Sequence, residues 1–407
     1  MRYDYLIIGG GIAGVTAAEN IREQDLTASI GIFSDEPHLF YSRVLMPSYL
    51  KKRIGREKLF LRTIDDFNQK KIDLQLQEKV LYVDPRRKEV GLENKVVIGF
   101  DKLLIAAGGR VMPWSLDEEE YIYRLQTLDD ADRIFSGFAK IKNPLVVGAS
   151  FISLELLEIF LVNNIIPKLL VRDSHFFSRI LDSQGGELLR FNFQRHGIES
   201  QFNDEIGEIS KNSGSLLAVT KGLRRIECDA LALGIGIERN SDFLRGSGIE
   251  LGEKGVKVNE FLETNHAGIF AAGDLAEFYD VIFGKYRLAG NWTNAFLQGK
   301  IAGLNMVGQR EAFKHVTGYS ITNLGFQITI LGDCNNDAES VIRIDNLRNQ
   351  YERFFIREGV IAGAVLVNRF FDKPHLAKLI ENKTPVEPYL DRLRDFVFDI
   401  QEITIVG

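Results

Sequence analysis

The chain of 407 residues is 45% hydrophobic with a net charge of −6, enough for two or three domains with substantial cores. That charge, with no long Lys/Arg run carrying interleaved aromatics, gives no footing for nucleic acid. Two distant cysteines, Cys228 and Cys334, with no CxxC or CxxxxC pair, exclude a redox-active disulfide and a cysteine-rich metal site, and read as reduced thiols.

Residues 5 to 8 predict a short apolar strand, and Gly9, Gly11 and Gly14 follow as G-x-G-x-x-G, with Ile12 and Ala13 inside the turn. A helix-compatible run continues to residue 21. Gly9 permits the tight turn, Gly11 lets backbone approach a pyrophosphate, and Gly14 lets helix and strand pack closely. The helix start offers free N–H groups and partial positive charge to phosphates. The next apolar strand, 28 to 33, ends in Ser34-Asp35-Glu36, where an acid for a ribose belongs. Asp35 as a plain turn residue is the alternative. The apolar run at the N-terminus is too short for a signal peptide core. The stretch 154 to 171 is broken by Glu155, Glu158, Asn163, Asn164, Pro167 and Lys168, a buried helix and strand rather than a membrane span. A soluble, cytoplasmic protein is expected.

The chain then repeats itself. LIIGGGIAGVTAAE at 6 to 19 and LVVGASFISLELLE at 145 to 158 share one apolar, glycine and helix rhythm. Gly148 keeps the tight turn, but Ser150 and Ser153 stand where the second and third glycines belong. The Ser150 hydroxyl can donate to a phosphate oxygen, which limits the cost of its added bulk. The following strand is read as LLVRDSHFFSR, 169 to 179. It puts Arg172 where an NADH-preferring site would have an acid, which suits a 2′-phosphate, with Arg179 and His175 at hand. Asp173 is the competing ribose ligand, and a solvated surface charge is the bland reading of Arg172. By analogy of fold, two such turns imply a tightly held flavin and a transient nicotinamide.

Three further segments sharpen the match: FDKLLIAAGGR at 100 to 110, DALALGIGIERN at 229 to 240, and GVKVNEFLETNHAGIFAAGDLAE at 255 to 277. With the two turns, these resemble the two-dinucleotide-binding flavoproteins, the pyridine nucleotide-disulfide oxidoreductases. SDEPHLFYSRVLMPSYL, 34 to 50, is similar to the rubredoxin/ferredoxin reductase branch and to the flavin portion of assimilatory nitrite reductases. The resemblance implies that the first turn holds the FAD pyrophosphate, with Ser34 and Asp35 near the adenosine ribose and the Val80 backbone at the adenine. Asp274 of AAGD would bond the ribityl–phosphate region, with Gly273 and with Ala107 and Gly108 of AAGG as further cofactor-binding positions, although Asp274 as a simple N-cap looks the same. Arg43 and Trp292 match positions near the isoalloxazine, and core packing is an equal reading of Trp292. Glu155 is the candidate for positioning the nicotinamide carboxamide, against a helix-surface charge as the alternative. The lysine that related reductases pair with it is Ser48 here, leaving Lys51 and Lys52 as substitutes.

FYSRVLMPSYL has no cysteine beside the expected flavin, so thiolate chemistry is out and electrons must leave FAD directly, to a protein carrier, a quinone or dioxygen. The implied fold is α/β, with two Rossmann-like dinucleotide-binding domains plus a C-terminal α+β interface domain. An FAD-binding domain is expected at 1 to 110 and 241 to 312, a nicotinamide-type domain at 111 to 240, and the interface domain at 313 to 407. In the last, GFQITILG, SVIRID, YERFFIR and VIAGAVLV predict strands, REG at 357 to 359 a hairpin turn, and HLAKLIEN a helix. The implied function is an FAD-dependent NAD(P)H oxidoreductase, without metal, serving a small rubredoxin- or ferredoxin-type protein, as a homodimer or within a redox complex. The alternatives are a flavin-bearing electron-transfer subunit with a vestigial nicotinamide site, and a signalling flavoprotein resembling apoptosis-inducing factor.

Overall fold

Short uniformly apolar runs such as IGIF and PLVV are what strands buried on both faces require, and they nucleate two parallel sheets. The computed structural model describes residues 1–114, 119–212, 214–336 and 338–405. Their chain divides into two units, one made of Met1–Leu45, Gly55–Arg110 and Ile237–His315, the other of Met46–Ile54, Val111–Gly236 and Val316–Gly407.

In the first unit Arg2–Ile8 is central, with Ile30–Phe33 and then Ile72–Gln75 on one side and Val97–Ile105 on the other, all parallel. The long strand Val97–Ile105 shares its far edge between two partners. Its first half pairs antiparallel with Glu89–Leu92, and its second half pairs parallel with Ile269–Ala271. Helix Ile12–Gln24 follows the central strand and buries Ala13, Gly14, Val15, Ala17, Ala18 and Ile21. Helix Trp292–Met306 packs on it through glycines: a Cβ on Gly299 would lie 2.3 Å from the Ala13 carbonyl oxygen.

The second unit repeats the pattern. Its sheet runs Glu199–Gln201, Lys168–Leu170, Pro144–Val147, Ala230–Leu233 and Ile122–Tyr123, parallel throughout, and helix Phe151–Val162 follows the central strand. A three-stranded antiparallel sheet, Ile206–Asn212, Ser215–Thr220 and Arg225–Cys228, is added to it.

The C-terminal part forms an antiparallel sheet in the order Gly318–Asn323, Phe326–Gly332, Val360–Val367, Gln350–Arg357 and Glu339–Asp345. The four expected strands and the helix, Lys373–Glu381, are present, together with an edge strand the sequence reading missed, Gly318–Asn323. Glu358 (φ 50°) and Gly359 (φ 72°) make the turn, since two consecutive positive φ values suit the twist of a tight hairpin. Between the edge strand Glu339–Asp345 and its neighbour, Arg343 lies directly across from Glu352, 2.6 Å apart and wholly buried. Arg343 also donates to the carbonyls of Asp395 (3.0 Å) and Phe398 (2.8 Å), tying down the C-terminal segment. Arg369 lies 3.6 Å from Glu352 and pairs with buried Asp372 at 2.8 Å. Among the described residues no helix is long and apolar enough to cross a membrane.

Candidate dinucleotide sites

The first turn is open. Gly9 has φ +112°, and a Cβ there would lie 2.3 Å from the Ala106 carbonyl, so the turn closes against the AAGG segment that holds Ala107 and Gly108. A Cβ on Gly14 would meet the Gly9 carbonyl at 2.0 Å, as close helix–strand packing demands. Gly11 is the helix N-cap without a side-chain cap, and a Cβ on it would meet nothing within 4 Å. The bare N–H groups around Ile12 and Ala13 therefore face open space, the arrangement a phosphate-binding helix start requires.

Other predicted residues converge on this turn within the first unit. A Cβ on Gly10 would lie 3.1 Å from the Ser34 side chain, and the Ser34 carbonyl accepts from Glu78 two residues before Val80, which opens strand Val80–Asp84. Asp35 is exposed beside Ser34. Gly273 (φ +82°) is so placed that a Cβ would sit 3.2 Å from that of Ala13, which sets Asp274 next to the first helix. Among the described residues none donates a hydrogen bond to the Asp274 carboxylate. Burial raises its pKa, against the attraction of Arg239 and Arg43. Arg43 is ion-paired with Glu36. Trp292 is half-buried and stacks on Phe40, centroids 6.1 Å apart.

Three partners here escaped the sequence reading. Arg239 Nε, Asn294 Oδ1 and Gln298 Nε2 are buried without a hydrogen-bond partner, while Gln298 Oε1 fixes the Gly273 amide at 2.8 Å. Buried orphan donors and acceptors near an open helix start are the expected mark of a polar ligand. The signal for Arg239 was present in GIGIERN; polar residues inside an otherwise helical run gave none for the other two. The residues present fit a dinucleotide.

The second turn, in the second unit, differs. Gly148 (φ +114°) makes the tight turn, but Ser150 caps the helix with its own hydroxyl, accepting from the Ser153 amide at 3.2 Å. Ser153 Oγ returns the bond to the Ser150 amide at 3.3 Å and donates to the Gly234 carbonyl at 3.2 Å. The strand read as 169 to 179 is in fact only Lys168–Leu170, so Arg172 lies beyond its end, in a loop. Its side chain is 68% exposed and 3.6 Å from Asp173. His175 is turned away, its ring bonded to Ser174 and to the Leu181 carbonyl.

Glu155 lies one turn into the same helix. Lys51 is buried but ion-pairs with Glu158 rather than with Glu155, and Asn323 also donates to Glu158, at 2.8 Å. Lys52 is exposed. Burial therefore dominates at Glu155 and pushes its carboxyl from 4.5 to about 7, against the pull of Lys51. The folded chain holds that proton more tightly than the unfolded one, so stability should fall as pH rises from about 4.5 through 7, by at most about 1.4 kcal/mol per pH unit. Glu155→Gln should remove this decline. Urea midpoints of both proteins at pH 5, 6 and 8 test it, and parallel pH trends would show that Glu155 is not the group responsible.

A parallel sheet, a glycine turn and a helix, present once in each unit, define a chain with two dinucleotide-type modules. It belongs to the pyridine nucleotide-disulphide oxidoreductase family, whose model matches residues 3–299. Residues 320–384 match the rubredoxin NAD+ reductase C-terminal domain. Mouse apoptosis-inducing factor 3 is 26% identical over 369 residues, which cover 89% of this chain and 60% of that protein. The chain thus spans only 60% of the length of this relative and of its human counterpart. The ferredoxin–NAD(+) reductase component of 3-phenylpropionate/cinnamic acid dioxygenase from Photorhabdus laumondii is 27% identical, covering 94% of this chain and 97% of that one. Among solved structures, the covalent putidaredoxin reductase–putidaredoxin complex superposes with a TM-score of 0.91 at 20% identity, covering 98% of each chain, which shows the shared fold.

Proposed function

We propose that this chain is an FAD-dependent NAD(P)H oxidoreductase that passes electrons to a small redox protein of rubredoxin or ferredoxin type. The uncapped first helix, with open space at Gly11, carries the reading. Bound FAD would supply two-electron uptake from a reduced nicotinamide and release of electrons one at a time. The chain binds and orients. Gly9, Gly11, Ile12, Ala13 and Gly14 hold the pyrophosphate, Ser34 and Asp35 the ribose, and the Val80 backbone the adenine. Ala107, Gly108, Gly273 and Asp274 hold the ribityl–phosphate region, and Arg43 and Trp292 border the ring. Gly148, Ser150 and Arg172 receive the nicotinamide nucleotide, and Glu155 orients its carboxamide. Burial raises the Cys228 thiol to about 12, leaving it inert, in keeping with a path that needs no cysteine. The matching C-terminal domain and the Photorhabdus relative, by their printed names, support NAD-linked reduction of a ferredoxin or rubredoxin partner.

Anaerobic stopped-flow bleaching of the flavin by NADPH and by NADH tests the reading. Because Arg172 is exposed, its preference for a 2′-phosphate should be about tenfold, and Arg172→Ala should erase it. NADH leading in the wild type would assign the ribose to Asp173. Bleaching by neither nucleotide would favour a second reading, a flavin-bearing electron-transfer subunit, which the self-capped second turn supports.

A further inference from the structure

The two glycine turns differ in what satisfies their helix starts. In the first, Gly11 offers no side chain and the first-turn amides are left for a ligand. In the second, Ser150 and Ser153 satisfy each other, each accepting from the other's amide at 3.2–3.3 Å. Ser153 is fully buried, and its hydroxyl is also anchored on the Gly234 carbonyl. Gly234 makes room for the pair, since a Cβ there would lie 2.0 Å from Ser153 Oγ and 3.0 Å from Ser150 Oγ. The serines are thus seated by a matching glycine on the facing strand end, rather than being loose replacements.

We infer that this serine pair is an internal competitor for the pyrophosphate of the nicotinamide nucleotide and sets the protein's affinity for it; this rests on the reading of residues 146 to 155 as the nicotinamide turn. The Ser150 side chain stands where the first turn has Gly11, in the path by which a pyrophosphate would reach this helix start, and it is held there by the bond it accepts from the Ser153 amide. Binding must break the reciprocal cap and move the Ser150 hydroxymethyl out of the phosphate path. Glycine at the N-cap removes both obstacles and costs a helix only a few tenths of a kcal/mol, so Ser150→Gly should fold.

The experiment is isothermal titration of the oxidised holoprotein with NADP+ and with NAD+, for wild type, Ser150→Gly and Ser150→Ala, with thermal midpoints to confirm folding. Ser150→Gly should bind about tenfold more tightly than wild type. Ser150→Ala, which loses the hydroxyl but keeps a methyl in the path, should gain less. An unchanged dissociation constant in Ser150→Gly overturns the inference and leaves the nicotinamide reading standing. Weaker binding in both variants also overturns it, by making the hydroxyl a phosphate ligand. No binding by any of the three proteins overturns the inference and the nicotinamide reading together.

Discussion

Gly11→Val is expected to give a folded protein that has lost its flavin. A Cβ at this position meets no protein atom within 4 Å, and its φ of −78° is open to any residue, so backbone conformation and space admit a side chain. The isopropyl group instead occupies the approach of the pyrophosphate to the helix start, where phosphate contacts depend on bare backbone. Flavin affinity should fall more than a hundredfold, so that the purified variant is colourless while its circular dichroism matches wild type. The same change at Gly14 would do the opposite, since its Cβ would lie 2.0 Å from the Gly9 carbonyl and folding would fail first. Gly11→Val retaining flavin at wild-type occupancy would place the cofactor elsewhere.

The second large effect is expected in the C-terminal sheet. Arg343→Ala should destabilise the C-terminal sheet by about 3–5 kcal/mol, because it removes the closest partner of the buried Glu352 carboxylate and leaves only Arg369, at 3.6 Å. It also removes the two bonds that hold the Asp395 and Phe398 carbonyls, so the segment after residue 390 should open first. Hydrogen exchange in strand Gln350–Arg357 under increasing urea reads the first effect, and proteolysis near residue 395 the second. Replacing both partners with apolar residues, Arg343→Met with Glu352→Leu, should recover most of the loss, as no unpaired charge remains and Arg369 keeps Asp372. A loss below about 1 kcal/mol in Arg343→Ala would mean that water reaches the carboxylate.

How much of this was legible in the sequence differs between the turns. The first was readable because glycine leaves one interpretation: residues 9, 11 and 14 have no side chain with which to do anything else. The second was not, because a serine hydroxyl serves equally as a phosphate donor or as a helix cap; in the structure it accepts from the Ser153 amide at 3.2 Å. Lys51 and Lys52 are the two lysines that sequence proximity offers in place of the one missing at Ser48, but Lys51 pairs with Glu158, one turn beyond Glu155, and Lys52 is exposed. Residues three apart lie on the same helix face, so periodicity could not separate those two carboxylates. Arg172 was assigned to a strand end because LLVRD continues an apolar run, while regular pairing stops at Leu170. The fold class was the most secure reading, since two strand–glycine–helix repeats leave few alternative topologies.

The pairing of Ile269–Ala271 with Val97–Ile105 has a consequence for how the molecule is made. A ribosome delivers the N-terminal glycine turn early, but the last strand of its sheet and the helix Trp292–Met306 that packs on Ala13 come more than 160 residues after Ile105. Until they emerge, one edge of that sheet and one face of the first helix stay uncovered, and the intervening unit is itself waiting for residues beyond 316. Such long-range closure is slow and leaves sticky surface exposed in nascent chains. Truncations in the last third of the gene should therefore yield insoluble products rather than a working N-terminal half, and holding back translation after residue 306 would be the natural point at which flavin could first be captured.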